Sequence, residues 1–116
     1  MRFLVLMAEA DHFARWDSFS ESEQQAVFES FQAFDQAVRT RGSIVGGEAL
    51  RRPAEARTLL AGAAAERAVT EGPYAETVEQ LGGFYLIDVP DIQAAVEAAR
   101  LLPAAYTIEV RPVEPT

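Results

Sequence analysis

The side chains in this sequence best suited to acid–base chemistry are a lone histidine, His12, and three glutamates, Glu48, Glu71 and Glu76. An imidazole changes charge near neutral pH, so His12 can take up or release a proton under ordinary conditions. Asp11 and Asp17 stand close to it in the chain and could orient its ring. Glu48 follows the pair Gly46-Gly47, while Glu71 and Glu76 flank Gly72-Pro73. Carboxyls crowded together by converging loops share protons, which equips one of them to act as a base. Tyr74 and Tyr85 join an aromatic body to a hydroxyl and suit the wall of a small-molecule pocket. Each residue also has a plainer use: His12 can bond locally within a loop, Gly72-Pro73 is common turn punctuation, and the tyrosines can simply pack.

Other chemistries are excluded by what the chain lacks. There is no cysteine among the 116 residues, which removes thiol catalysis, disulfides and cysteine-ligated zinc. With one histidine besides, no transition-metal site is expected, and no residue pattern calls for a cofactor. All ten basic residues are arginines, so Schiff-base chemistry by a lysine side chain is absent. A net charge of −8 argues against a nucleic-acid binder, which needs basic surface to meet phosphates. The cluster Arg51, Arg52 and Arg57 reads as a solvated loop face. No phosphate-binding glycine loop, HExxH, nucleophile elbow or EF-hand loop is present.

These residues need elements to position them, and the length suits one domain spanning residues 1–116. The opening run, residues 2–8, is apolar at nearly every position. It is too short for a signal peptide and is followed by acidic residues, so it reads as a strand covered on both faces. Residues 9–19 show no clear period and read as a loop, in which Phe13, Trp16 and Phe19 form a lid or a plug over a helix end. Ser20 and Glu23 form a capping box. Val27, Phe31, Phe34 and Val38, with Phe28 beside them, then make one helical stripe that Gly42 ends.

Ser43 to Leu50 reads as a strand whose glycines mark a bulge or a close backbone approach. Thr58–Ala61 and Ala65–Thr70 read as a hairpin around Gly62. Gly82 to Val89 reads as a strand with Tyr85, Ile87 and Val89 on one face. Asp91 caps a helix with the stripe Ile92, Ala95, Val96 and Ala99, and Tyr106, Ile108 and Val110 alternate along a last, half-exposed strand. With the hairpin set aside, the order is βαββαβ: an α+β, ferredoxin-like split unit with both helices on one face of an antiparallel sheet. The apolar second face predicts a homodimer. No run reaches the length of a membrane-spanning helix, and the cysteine-free composition fits a cytoplasmic protein.

The segment Glu71-Gly72-Pro73-Tyr74, leading into Gly82-Gly83-Phe84-Tyr85-Leu86-Ile87-Asp88-Val89, resembles the YCII-related superfamily. More narrowly it is similar to the branch named for an Asp-Gly-Pro-Phe (DGPF) motif, with Glu71 and Tyr74 replacing the motif's Asp and Phe. Gly46-Gly47-Glu48-Ala49-Leu50 and Ile108-Glu109-Val110-Arg111-Pro112-Val113 agree with that branch. The resemblance implies a dimeric ferredoxin-like α+β barrel with a pocket between the sheet and its flanking loops. Some branches carry a His and Asp pair suspected of catalysis. Members of this branch are often encoded beside extracytoplasmic sigma factors, which implies a sigma-factor partner. Two functions are therefore expected to compete: cofactor-independent acid–base or lyase-like chemistry on a small molecule, and a non-catalytic ligand-sensing or protein-interaction module.

Overall fold

Apolar side chains at alternate positions of the first strand set the centre of the fold. In a computed structural model describing residues 1–75 and 77–115, β1 runs from Arg2 to Ala10. Phe3, Val5 and Met7 are buried on one face, whereas Leu4, Leu6 and Ala8 are only half-buried on the other. The helices lie on the Phe3 side alone, so this chain covers one of the two faces for which the apolar run predicts cover.

A short helix α1 (His12–Ser18) follows, then the long helix α2 (Glu21–Arg39). The Ser20 hydroxyl accepts from the Glu23 amide at 3.2 Å and the Glu23 carboxyl accepts from the Ser20 amide at 3.2 Å, so the capping box forms as its spacing requires. Phe34 and Val38 are fully buried, with Phe31 packed against them. Residues 9–19 are therefore not a loop. The strand continues two residues past the apolar run, and helix α1 occupies most of the rest, without a single buried residue to make a helical period visible.

β2 (Ser43–Ala49) carries a register shift between Ile44 and Gly46 that leaves Val45 unpaired, beside the double glycine expected to mark a bulge or a close backbone approach. The hairpin is β3 (Arg57–Leu59) paired with β4 (Val69–Glu71), with a 3₁₀ turn of alanines, Ala64–Glu66, between them. β5 (Glu79–Asp88) starts three residues earlier than expected. α3 (Ile92–Ala99) is capped by Asp91, whose carboxyl accepts from the Ala94 amide at 2.8 Å. Its buried face is Ala94, Ala95, Ala98 and Ala99, while Ile92 is 48% exposed. Small alanines let the helix approach the sheet closely, which turns the expected Ile92 stripe by one position. β6 (Thr107–Pro112) closes the chain's regular structure.

The main sheet has four strands in the order β2-β5-β1-β6, every neighbouring pair antiparallel; β3 and β4 form a separate two-stranded sheet. The protein is α+β, with three α-helices among the described residues. No helix among them is long and apolar enough to cross a membrane.

Candidate functional site

The inward alternation of β1 does not stop at Met7 but continues to Glu9, whose carboxyl is buried at 7% exposure. A buried carboxyl must be partnered, because losing water without compensation costs several kcal/mol, on the order of 2–7 even for a neutral polar group. The partners come from α1. Asp11 takes a left-handed backbone (φ 52°, ψ 32°), which folds the chain sharply back, and His12 opens the helix. His12 Nδ1 then lies 2.6 Å from Glu9 Oε2, and Arg15 Nε lies 3.2 Å from Glu9 Oε1. Each oxygen of the carboxyl has its own partner.

The imidazole rests against bare backbone. The pairing of β1 with β5 runs Met7 to Gly83 and then Ala8 to Leu81, leaving Gly82 as the extra residue of a bulge. A Cβ on Gly82 would sit 3.2 Å from His12 Cδ2 and 3.3 Å from Nε2, so any larger residue would press on the ring. Phe13 meets the imidazole edge-on at 4.8 Å between centroids, and Tyr106 lies at 5.7 Å. Helix α1 is further tied down by Arg52, whose guanidinium sits 5.1 Å above the Phe13 ring and 3.3 Å from Asp17. Arg52 stays exposed, as expected of a solvated loop face, and also reaches α1.

His12 borders a cavity of about 450 Å³, with Trp16, Phe28, Phe31, Tyr85 and Tyr106 among its walls. That is within the range of small-molecule sites, about 300–1,000 Å³. Burial pushes the Tyr106 hydroxyl up to about 12, with the charge of Glu9 and the neighbouring Tyr85 adding to the effect. Burial also raises the Tyr85 hydroxyl, helped by Asp35. Both phenols therefore stay protonated at neutral pH and can donate a hydrogen bond.

Of the residues singled out in the sequence, His12, Glu48 and Tyr85 border this one cavity. Glu48 pairs with Phe84 in β5, while Gly47 pairs with Tyr85. Alternation therefore directs the exposed Glu48 side chain with Phe84, away from the face that holds His12. Glu71 ends β4 in the separate hairpin, 84% exposed and 3.9 Å from Arg57. Gly72, at φ 104°, makes the turn after it, a backbone state that favours glycine. Tyr74 is 94% exposed and borders a different, open depression beside Arg51 and Arg52. Glu76 lies outside the described residues. The structure thus does not gather Glu48, Glu71 and His12 into one cluster. Glu9, Arg15 and Tyr106 were not foreseen. The signal for Glu9 was present: it falls on the inward period of Phe3, Val5 and Met7, where an acid is out of place.

Because His12 is the sole histidine, its ring can be watched without interference. Nitrogen NMR should find the neutral ring protonated at Nδ1 in the native chain, and Glu9→Ala, which removes the acceptor, should lose that preference along with ~1–3 kcal/mol of stability by chemical denaturation. An Nε2-protonated native ring would contradict the pairing. Tyr106 gives a pH prediction. Below the ordinary phenol value near 10, folded and unfolded states both hold its proton; from there to about 12 only the folded state does. Stability must fall as pH rises through that window, and Tyr106→Phe should flatten the fall in melting temperature between them.

The sequence profile of the YCII-related domain matches residues 1–116. An uncharacterised protein of Rhizobium meliloti (strain 1021) is 36% identical over 100 residues, covering 83% of this chain and 80% of that protein. On both grounds the chain belongs to the YCII-related domain family.

Proposed function

We propose that the cavity beside His12 binds a small organic molecule and that the Glu9–His12 pair acts there as a general base. The observation that carries this reading is the 2.6 Å contact between a buried carboxyl and the one histidine, at the wall of a cavity with two protonated phenols. Glu9 accepts from Nδ1–H and holds the ring in one tautomer, which leaves the Nε2 lone pair to take a proton. The natural partner reaction is removal of a proton from carbon next to a carbonyl. Nε2 receives the proton, the electron pair moves onto the carbonyl oxygen, and a tyrosine hydroxyl donates to that developing oxyanion. Returning the proton to the same or a neighbouring carbon gives exchange or isomerisation; loss of a group on the next carbon gives a lyase-like elimination.

Cyclohexyl methyl ketone in heavy water provides a test. Proton NMR should show its methyl hydrogens exchanging faster with the native chain, and His12→Asn should remove that acceleration by on the order of 10²-fold. Equal exchange by the two proteins would assign the cavity to ligand sensing without chemistry.

We further propose that two chains pair through their open sheet faces as ferredoxin-like units in an α+β barrel. The strand order β2-β5-β1-β6, with α2 after β1 and α3 after β5, supports the ferredoxin-like reading. The pairing is supported by Leu4 beside Leu86 and Leu6 beside Phe84, half-buried in register on a face without a helix. Light scattering at micromolar concentration should give twice the chain mass, and Leu86→Arg should give a folded monomer. A monomeric native chain would overturn the pairing.

A further inference from the structure

We infer that the ligand of the His12 cavity is a neutral, planar aromatic molecule bearing an oxygen acceptor; this rests on the proposal that the cavity is a small-molecule site. Three observations converge on that class.

The first is shape. Gly47, Gly82 and Gly83 all border the cavity. A Cβ at any of the three would crowd a neighbouring side chain. A Cβ on Gly47 would meet Tyr85 Cδ1 at 2.7 Å and one on Gly83 would meet Met7 Cε at 3.1 Å, while Gly82 carries the imidazole. The Tyr85 ring and the imidazole thus lie low over the strands, and ring surfaces rather than branched side chains form that side of the cavity, which suits a flat body.

The second is the walls. Tyr85 and Tyr106 stand 6.4 and 6.2 Å from Phe31, at interplanar angles of 45° and 52°. Trp16 meets Phe28 at 5.6 Å and 78°. None of these rings is stacked parallel on its neighbour, so ring faces remain for an inserted ring, which aromatic groups take in offset or edge-on geometry.

The third is charge. No arginine borders the cavity among the described residues, and the two nearby are already engaged: Arg15 with Glu9, Arg52 with Phe13 and Asp17. The net charge of −8 also disfavours an anion. A carboxylate ligand would enter without a counter-charge, at a desolvation cost. The phenols of Tyr85 and Tyr106 have no hydrogen-bond partner in the protein among the described residues, and neither is sealed from solvent. As protonated groups they offer donors, and a ligand that complements them carries an oxygen acceptor.

The test uses three probes of similar size: acetophenone (flat, neutral, with a carbonyl), benzoate (flat, anionic) and cyclohexyl methyl ketone (neutral, with a carbonyl, not flat). Trp16 is the sole tryptophan and borders the cavity, so its fluorescence reports occupancy directly. Acetophenone should bind about tenfold more tightly than either other probe, the scale set by one or two aromatic contacts. Phe28→Leu, at a half-exposed ring whose loss spares the core, should weaken acetophenone several-fold more than the cyclohexyl ketone. Benzoate or the cyclohexyl ketone binding as tightly as acetophenone would overturn the inference, as would no response to any probe at millimolar concentration. The two proposals fail separately. His12-dependent exchange of the cyclohexyl ketone without a preference for acetophenone removes the aromatic class and keeps the base. A preference for acetophenone without exchange of either ketone removes the base and keeps the ligand class.

Discussion

An acidic side chain at an inward position of the central strand is the constraint around which this molecule is arranged. Glu9 follows Phe3, Val5 and Met7 into the layer between sheet and helices, where an unpartnered carboxyl would be costly. Its two oxygens are met by His12 and Arg15. Those residues can reach back only because the chain reverses at Asp11 in a left-handed conformation. The imidazole so placed needs flat space beside it, and the bulge at Gly82 supplies that space. The buried acid, the reversed turn, the short helix and the glycine bulge thus form one connected set of requirements. The cavity lies where they meet.

Most of the architecture was legible because it follows local rules. The Ser20–Glu23 box, the Asp91 cap, the α2 stripe and the alternation of β5 and β6 each belong to a few consecutive residues whose chemistry dictates their conformation. The register shift beside Gly46-Gly47 was legible for the same reason. What escaped notice depends on contacts between distant segments. Helix α1 has no buried face and so no apolar period; its order comes from Glu9, Arg52 and Phe28, which lie outside it. Arg52 is surface charge, as its neighbours in sequence suggest, but its partners, Phe13 and Asp17, are far away in the chain. Tyr106 looked like one half of an exposed strand until α1 and α2 closed beside it.

His12 and Tyr85 were legible as chemistry by residue type, and both border the cavity. Their partners were not. A glutamate that ends an apolar run reads as the end of a strand, and only the continued register of β1 with β5 reveals that it points inward. The segment that carries the strongest family signature divides in two. Its strand half borders the cavity, whereas Glu71, Gly72 and Tyr74 form a turn in a separate hairpin. Family membership and candidate chemistry are therefore written in different parts of the chain, and a reading led by the signature alone looks for the carboxylates in the wrong place.

Helix α1 has a consequence for how the site behaves in time. It is only seven residues long, it buries none of them, and a few polar and aromatic contacts hold it down. Segments with so little buried surface open at far lower free energy than the core around Phe3 and Phe34 and exchange their amide hydrogens sooner. The same segment carries the imidazole and, in Trp16, one wall of the cavity. Were it to lift, His12 would leave Glu9 and Trp16 would leave the cavity wall in a single movement. An open site would then be one without the proposed base, which would confine any proton transfer to the closed interval.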